Sequence, residues 1–399
     1  MKKLTDKRTK ISNNKINILT KFPENEDFEI VVVGAGISGA VIAERCARIL
    51  RKKVLVIEKR YHIGGNCYDH FDKKGILIHK YGPHLFHTNY ENVWKYVKKF
   101  SEWCKYEHKV LSYVDKKLVP IPVNINTVNI LFGEHIKSEN EMKKWLEKKI
   151  IPITNSKNSE ESAISRVGKE LYEKMFKFYT KKQWNLWPSE LDASVMNRIP
   201  VRTNYEDRYF TDKYQFLPKD SYTKMFNNLL AHPNIKVLLN TDYFKVRKKL
   251  KKAKYLFYTG QIDRFFNYRT EKGRERLPYR SLRFKFKTYN KKYFQKNSVI
   301  NYPEKKPSFT RIVEYKHFTK QKHPKTTISR EFSKSKGEPY YPVPNPKNKE
   351  IFERFKKQVD KLKNVFFVGR LANYQYFNID QTIKNALDLF KEFKKNIKE

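Results

Sequence analysis

The chain has 399 residues, with Lys+Arg 85 against Asp+Glu 42 and a formal net charge of +43 at pH 7. That length buries a substantial core and accommodates two or three domains, interleaved or in series. No run of about 18 apolar residues occurs, so no membrane-spanning helix is expected. A charge this positive concentrates anionic ligands, whether nucleotide sugars or nucleic acid. The lysines are spread through the whole chain rather than gathered on one stretch, so no specific nucleic-acid site is expected. Cys46, Cys67 and Cys104 form no C-x-x-C pair. That spacing predicts no metal site and fits a reducing, cytoplasmic-type compartment.

Residues 1–27 are polar and lysine-rich, without an apolar signal core, and read as a basic, disordered extension. Residues 30–33, all β-branched, predict a buried parallel strand. Gly34, Gly36 and Gly39 follow in G-x-G-x-x-G spacing. The first permits a tight turn, the second lets backbone approach a pyrophosphate, and the third lets the next helix pack closely. Ile37, Val41, Ile42, Cys46 and Ile49 recur at helical spacing and predict a helix over 37–50 whose first amides face the phosphates. A second strand over 53–57 ends at Glu58, about 20 positions after the glycines, where an acidic residue accepts hydrogen bonds from a ribose. Gly64 and Gly65 form either a plain turn or, as in flavoproteins of the glutathione-reductase type, a backbone surface against a ribityl or phosphate group. The second reading favours FAD over NAD. In HKYGPHLFHTN, residues 79–89, the glycine and proline among three histidines argue for a loop rather than a metal site. His84 and His87 there either line a flat cofactor face or sit on a surface turn.

Residues 90–197 have helical periodicity, as in Trp94, Val97 and Phe100, or Ile164, Val167, Leu171 and Met175. A strand-like excursion at 110–123 carries Pro120 and Pro122, so a helical insertion with a short β interruption is predicted. Tyr179, Trp184, Arg198, Tyr209 and Tyr214 are dense in aromatic and cationic character, and are either core or ligand-stacking groups. Residues 234–240 and 253–260 predict strands returning to the cofactor sheet, with the basic run 247–252 as a solvated edge. Alternation over 279–332 predicts an antiparallel sheet that carries Arg311. A last strand at 365–368 ends at Gly369, and Arg370 then stands where it can meet a pyrophosphate, before a helix over about 380–393.

Read in order, VVGAGISGAV, VLVIEKRYHIGGNCY, HKYGPHLFHT, FYTKKQW (178–184), RIPVR (198–202), YTGQIDRFF (258–266), YRSLRF (279–284), FTRIVEYKHF (309–318), EPYYPV (338–343) and VGRLANYQYFN (368–378) resemble the bacterial-type UDP-galactopyranose mutases. The resemblance spans about residues 28–387. It implies an α/β fold with a Rossmann-like FAD-binding domain built from 28–90, 220–268 and 345–399. A helical domain over 91–197 would carry a mobile substrate loop, and an antiparallel sheet domain would use 198–219 and 269–344.

The resemblance further implies that Tyr179 and Trp184 hold the uridine, and that Arg198 and Arg311 bind the diphosphate with Tyr209. Asn301, Tyr341 and Tyr376 would complete the substrate site. It places Gly34, Gly36, Ser38, Gly39, Glu58, Lys59, Gly65, Asn66, His84, Gly369, Arg370, Tyr376, Asn378 and Ile379 against FAD. His84 and His87 would border the flavin and favour its anionic reduced form. Asn378 stands where many members have aspartate, so it is given no proton transfer. The implied activity is interconversion of UDP-galactopyranose and UDP-galactofuranose through attack of reduced flavin N5 on the anomeric carbon, with no net redox change. An unidentified flavin reductant is required, a homodimer stays open, and so does a preference for an N-acetylated or 6-deoxy galactose. The alternatives are an FAD-dependent oxidase of a sugar or amine, an NAD-dependent epimerase or dehydrogenase, and a basic nucleic-acid-binding protein.

Overall fold

The structure is a computed structural model describing residues 15–397. Its first layer is a six-stranded parallel sheet in the order Asn17–Leu19, Ile235–Leu238, Val54–Ile57, Ile30–Val33, Tyr255–Tyr258, Val365–Phe367. The two central strands are apolar and almost wholly buried, because helices cover this sheet. Helix Ile37–Ile49 follows the glycine turn and packs against Ile379–Asn396 and Tyr222–Leu230. Its inward positions include Val41, Ile42 and Cys46, all buried. Among the described residues no helix is long and apolar enough to cross a membrane.

The edge strand Asn17–Leu19 corrects the expectation that residues 1–27 stay outside the fold. It pairs in parallel with Ile235–Leu238, and Leu19 and Phe22 pack against Phe28, Val31, Leu55 and Leu238. An unpaired sheet edge with an apolar segment close by in sequence provides both the hydrogen bonds and the burial that order it. Residues 1–14 of that extension lie outside the described residues.

The second sheet has seven strands, in the order Tyr341–Pro342, Tyr279–Tyr289, Thr326–Lys334, Arg311–Glu314, Val299–Asn301, Val110–Val114, Lys117–Ile121. It is antiparallel except where Val299–Asn301 runs parallel to Val110–Val114. The β excursion expected inside the helical part therefore belongs to this sheet. Val110, Ser112 and Val114 alternate to the buried side, and a strand with one apolar face needs a sheet partner that helices do not offer. The helical part follows as Ile125–Phe132, Glu139–Lys149 and Ser159–Leu171. A π-helical turn, Tyr172–Lys177, then leads directly into Phe178–Trp184, and such turns concentrate at functional sites. A small third sheet joins Phe86–Thr88, Tyr214–Pro218 and Trp103–Lys105. Tyr214 belongs to its packing, stacked on Trp94 at 5.2 Å with its hydroxyl donating to Glu91.

Candidate functional site

Two cavities adjoin at the carboxyl ends of the parallel strands, where open α/β sheets bind their ligands. The first is lined by Gly34, Gly36, Ser38, Glu58, Lys59, Gly65, Asn66, Gly369 and Arg370, all foreseen from sequence. Gly36 and Gly65 meet face to face: a Cβ on Gly65 would lie 2.8 Å from the Gly36 Cα. Gly39 does not line the cavity. A Cβ there would lie 1.9 Å from the Gly34 carbonyl oxygen, so this glycine sets the approach of helix to turn. Glu58 ends its strand with both oxygens held, one accepting from the Ala35 amide at 2.8 Å and the other from the Arg60 amide at 2.9 Å. The far wall was not foreseen: Asp242 and Arg264, paired at 2.6 Å, and Glu338, paired with Lys59 at 2.8 Å. These residues come from segments distant in sequence, Arg264 from the short helix Ile262–Phe265, and only the folded topology assembles them.

The second cavity is lined by Tyr179, Trp184, Arg198, Tyr209, Asn301, Arg311, Tyr341, Tyr376, Asn378, His84 and His87. Tyr376, expected at both substrate and cofactor, and Asn378, expected against the cofactor, line this chamber; the first cavity is lined without them. The cavities meet at Asn66, His84, Tyr340, Arg370 and Ile379. Tyr376 lies between two guanidinium groups, with Arg198 Cζ 4.1 Å and Arg370 Cζ 4.9 Å from its ring centroid. Burial alone would raise its phenol, but Arg198, Arg370 and Arg311 outweigh it and hold the group below its usual value. Trp184 meets Tyr341 edge-on at 5.2 Å. Arg198 donates to the Asn378 side-chain oxygen at 3.4 Å. Arg370 is held by the carbonyls of Phe377 at 3.1 Å and Tyr340 at 3.3 Å, and among the described residues no carboxylate pairs with it. A half-buried cation so placed is suited to an anion at the junction.

Asn301, Arg311 and Glu331 form one cross-strand row on the second sheet. Glu331, which sequence reasoning missed, is ion-paired to Arg311 at 2.9 Å. The pairing register is the signal that finds it, and that register is not written in either strand alone.

The two candidate histidines sit in different settings. Burial pushes His84 down to about 3, with smaller lowering contributions from His79, Arg370 and Arg311. Its Nδ1 lies 2.9 Å from the Gly82 carbonyl and must carry the proton there, leaving Nε2 as an acceptor. In this state the ring offers a hydrogen-bond acceptor at the junction of the two cavities. His87 lines the chamber and not the dinucleotide cradle, with Nδ1 3.0 Å from Asp212 and its ring stacked on Phe210 at 3.6 Å.

A glycine-turn dinucleotide cradle opening onto an arginine- and tyrosine-lined chamber defines the class: a Rossmann-type nucleotide-dependent enzyme with a second chamber that adjoins the cradle at one junction. Comparison with known proteins narrows it. A UDP-galactopyranose mutase family model matches residues 174–376, and an NAD(P)-binding Rossmann-like domain model matches 32–100. The chain is 38% identical over 369 residues to a probable UDP-galactopyranose mutase of Klebsiella pneumoniae, covering 91% of this chain and 94% of that protein. It is 37% identical over 388 residues to the dTDP-fucopyranose mutase of Escherichia coli, covering 93% and 100%. The UDP-galactopyranose mutase of Mycoplasma genitalium is 36% identical over 381 residues, covering 89% and 92%. A crystal structure of reduced UDP-galactopyranose mutase superposes with a TM-score of 0.73 at 13% identity, covering 94% of this chain and 95% of that one, which bears on fold alone. The chain belongs to the UDP-galactopyranose mutase family.

Proposed function

We propose that this enzyme interconverts UDP-galactopyranose and UDP-galactofuranose on a reduced FAD. The carrying observation is the junction itself, where Arg370 and His84 belong to both cavities while Arg198, Arg311 and Tyr376 stand in the adjoining chamber. FAD fits the first cavity by its donor set. The amino-terminal amides of Ile37–Ile49 and the carboxylate-free Arg370 suit a pyrophosphate, Glu58 suits a ribose, and the Gly36–Gly65 contact leaves backbone open to the ligand. The chemistry that a bound reduced flavin supplies is nucleophilic attack at the anomeric carbon without net electron transfer.

The chain's own residues then bind and position. Arg198 and Arg311 neutralise the diphosphate as it departs and keep it from leaving the chamber. Glu331 fixes the Arg311 fork, and Tyr376, flanked by two guanidinium groups, offers a phenol to the same anion. Tyr179 and Trp184 form the wall for the base, while Tyr209, Asn301 and Tyr341 complete the enclosure. Asn378 orients Arg198 and carries no proton. The reductant comes from outside the chain.

A second reading rests on the Escherichia coli relative, which is matched over its whole length: the sugar nucleotide is a dTDP-linked 6-deoxy sugar. Parallel assays of the reduced protein on UDP-galactofuranose and dTDP-fucofuranose decide between them by kcat/KM. Stoichiometric consumption of oxygen with either substrate would support a sugar oxidase instead.

A further inference from the structure

Lys182 stands between Tyr179 and Trp184 on the helix Phe178–Trp184. Its ammonium does not enter the chamber wall but turns to the second sheet, donating to the carbonyls of Tyr302 at 2.5 Å, Pro307 at 3.0 Å and Phe309 at 3.1 Å. Those three carbonyls belong to the loop joining Val299–Asn301 to Arg311–Glu314, so one side chain ties the Tyr179/Trp184 helix to the segment between Asn301 and Arg311. The next residue repeats the attachment. The Gln183 carbonyl accepts from Arg280 Nε at 3.0 Å and from Ser333 Oγ at 2.5 Å. Among the described residues no carboxylate pairs with Lys182. Glu304, on the same loop, instead accepts from the Asp115 amide at 3.0 Å. A half-buried ammonium satisfied by carbonyls alone is costly to desolvate, and an apolar residue would pack there at less cost.

We propose that Lys182 is a positioning residue that sets the spacing between the Tyr179–Trp184 wall and the Asn301–Arg311 strand pair, and so sets affinity for the nucleoside diphosphate. The inference rests on the reading of the chamber as a nucleotide-sugar site. The three-carbonyl cage uses all three ammonium protons, so a neutral amine leaves one carbonyl unmet. Burial lowers Lys182 to about 8, opposed by Glu304. Other titratable or charged groups beside this loop include Tyr302, whose phenol burial raises, Tyr113, whose ring meets that of Tyr302 at 5.8 Å, Asp115, whose amide donates to Glu304, Arg330, whose Cζ lies 5.9 Å from the Phe309 ring, and the loop's own Lys305 and Lys306. Nucleotide affinity is therefore expected to weaken as pH rises through about 8.

Calorimetric titration of the folded, full-length protein with UDP tests this. At pH 7, K182M is expected to bind UDP at least about tenfold more weakly than wild type, and K182R to recover most of the loss, on the scale of hydrogen bonds to a charged group. Between pH 7 and 9.5 the wild-type Kd should rise more steeply than that of K182R, which keeps only the pH dependence contributed by Tyr376. This second arm needs no apolar variant to fold. Wild-type-like binding by a folded K182M, or the same pH dependence in wild type and K182R, would overturn the proposal. Wild-type protein that binds no UDP at all would instead overturn the underlying reading of the chamber.

Discussion

Arg311 and Glu331 face each other across adjacent antiparallel strands, and one Glu331 oxygen accepts from Nε of the arginine at 3.0 Å and lies 2.9 Å from its Nη2. The guanidinium is thereby fixed before any ligand arrives, and the carboxylate itself is almost wholly buried. Such a pair stabilises little in net terms, but removal of one partner leaves an uncompensated charge. Arg311→Ala should lose roughly 2–5 kcal/mol of transition-state binding, read from kcat/KM, and Arg311→Lys should not restore it, because the ammonium cannot reproduce the fork. Glu331→Gln, which keeps an acceptor, should do less harm than Glu331→Ala. Equal losses in the two Glu331 variants would show that the carboxylate does not orient the arginine.

Tyr376 should release its proton below the ordinary phenolic value near 10, because Arg198, Arg370 and Arg311 overcome its burial. Absorbance titration of tyrosinate should find one early-titrating group in wild type that is missing in Tyr376→Phe and shifted upward in Arg198→Ala. Its folded-state value lies below the unfolded one. This group's contribution to stability is therefore present above the unfolded value and is lost as pH falls through the folded one.

Acid should destabilise the protein through buried neutral histidines. Burial lowers His79 to about 4 and His108 to about 3, from an ordinary imidazole value of about 6.5. The unfolded chain binds those protons first as pH falls below 6.5, so stability declines from there towards the folded values, by at most roughly 1.4 kcal/mol per pH unit for each histidine. Melting temperatures of wild type and His108→Asn between pH 7 and 4 check this, and the variant should show a shallower slope.

Gly65→Ala should destroy the cradle without unfolding the sheet. The residue has φ +55°, and its Cβ would press to 2.8 Å from Gly36. Strain of this kind costs on the order of 1–3 kcal/mol, and it falls where the flavin's backbone contacts would form. The purified variant is expected to be colourless or nearly so, while retaining wild-type far-ultraviolet dichroism. Full yellow colour would place the cofactor elsewhere.

Much of this architecture was legible in the chain because it is local. The strand, glycine turn, helix, strand and terminal acid of residues 30–58 lie within one stretch, and each step has its own residue signature. Long-range pairing was not legible. The 110–123 segment read as an interruption among helices because its sheet partner, Val299–Asn301, lies far downstream. Residues 17–19 were too short to announce a strand until the free edge of Ile235–Leu238 was in view. The site divides in the same way. The Rossmann glycines and Glu58 carry their own spacing, whereas the chamber residues were reached through family resemblance and assemble only by fold. Glu331, Asp242 and Lys182 act through partners 20 or more positions away. The charge of His84 depends on burial, which no motif encodes.

The most direct test of the account is to reduce the purified protein with dithionite, add UDP-galactofuranose without oxygen, and resolve the nucleotide sugars by anion-exchange chromatography. The account predicts conversion to UDP-galactopyranose by the reduced protein alone, over many turnovers and without stoichiometric loss of reductant. A reduced, flavin-loaded protein that leaves UDP-galactofuranose unchanged would contradict it.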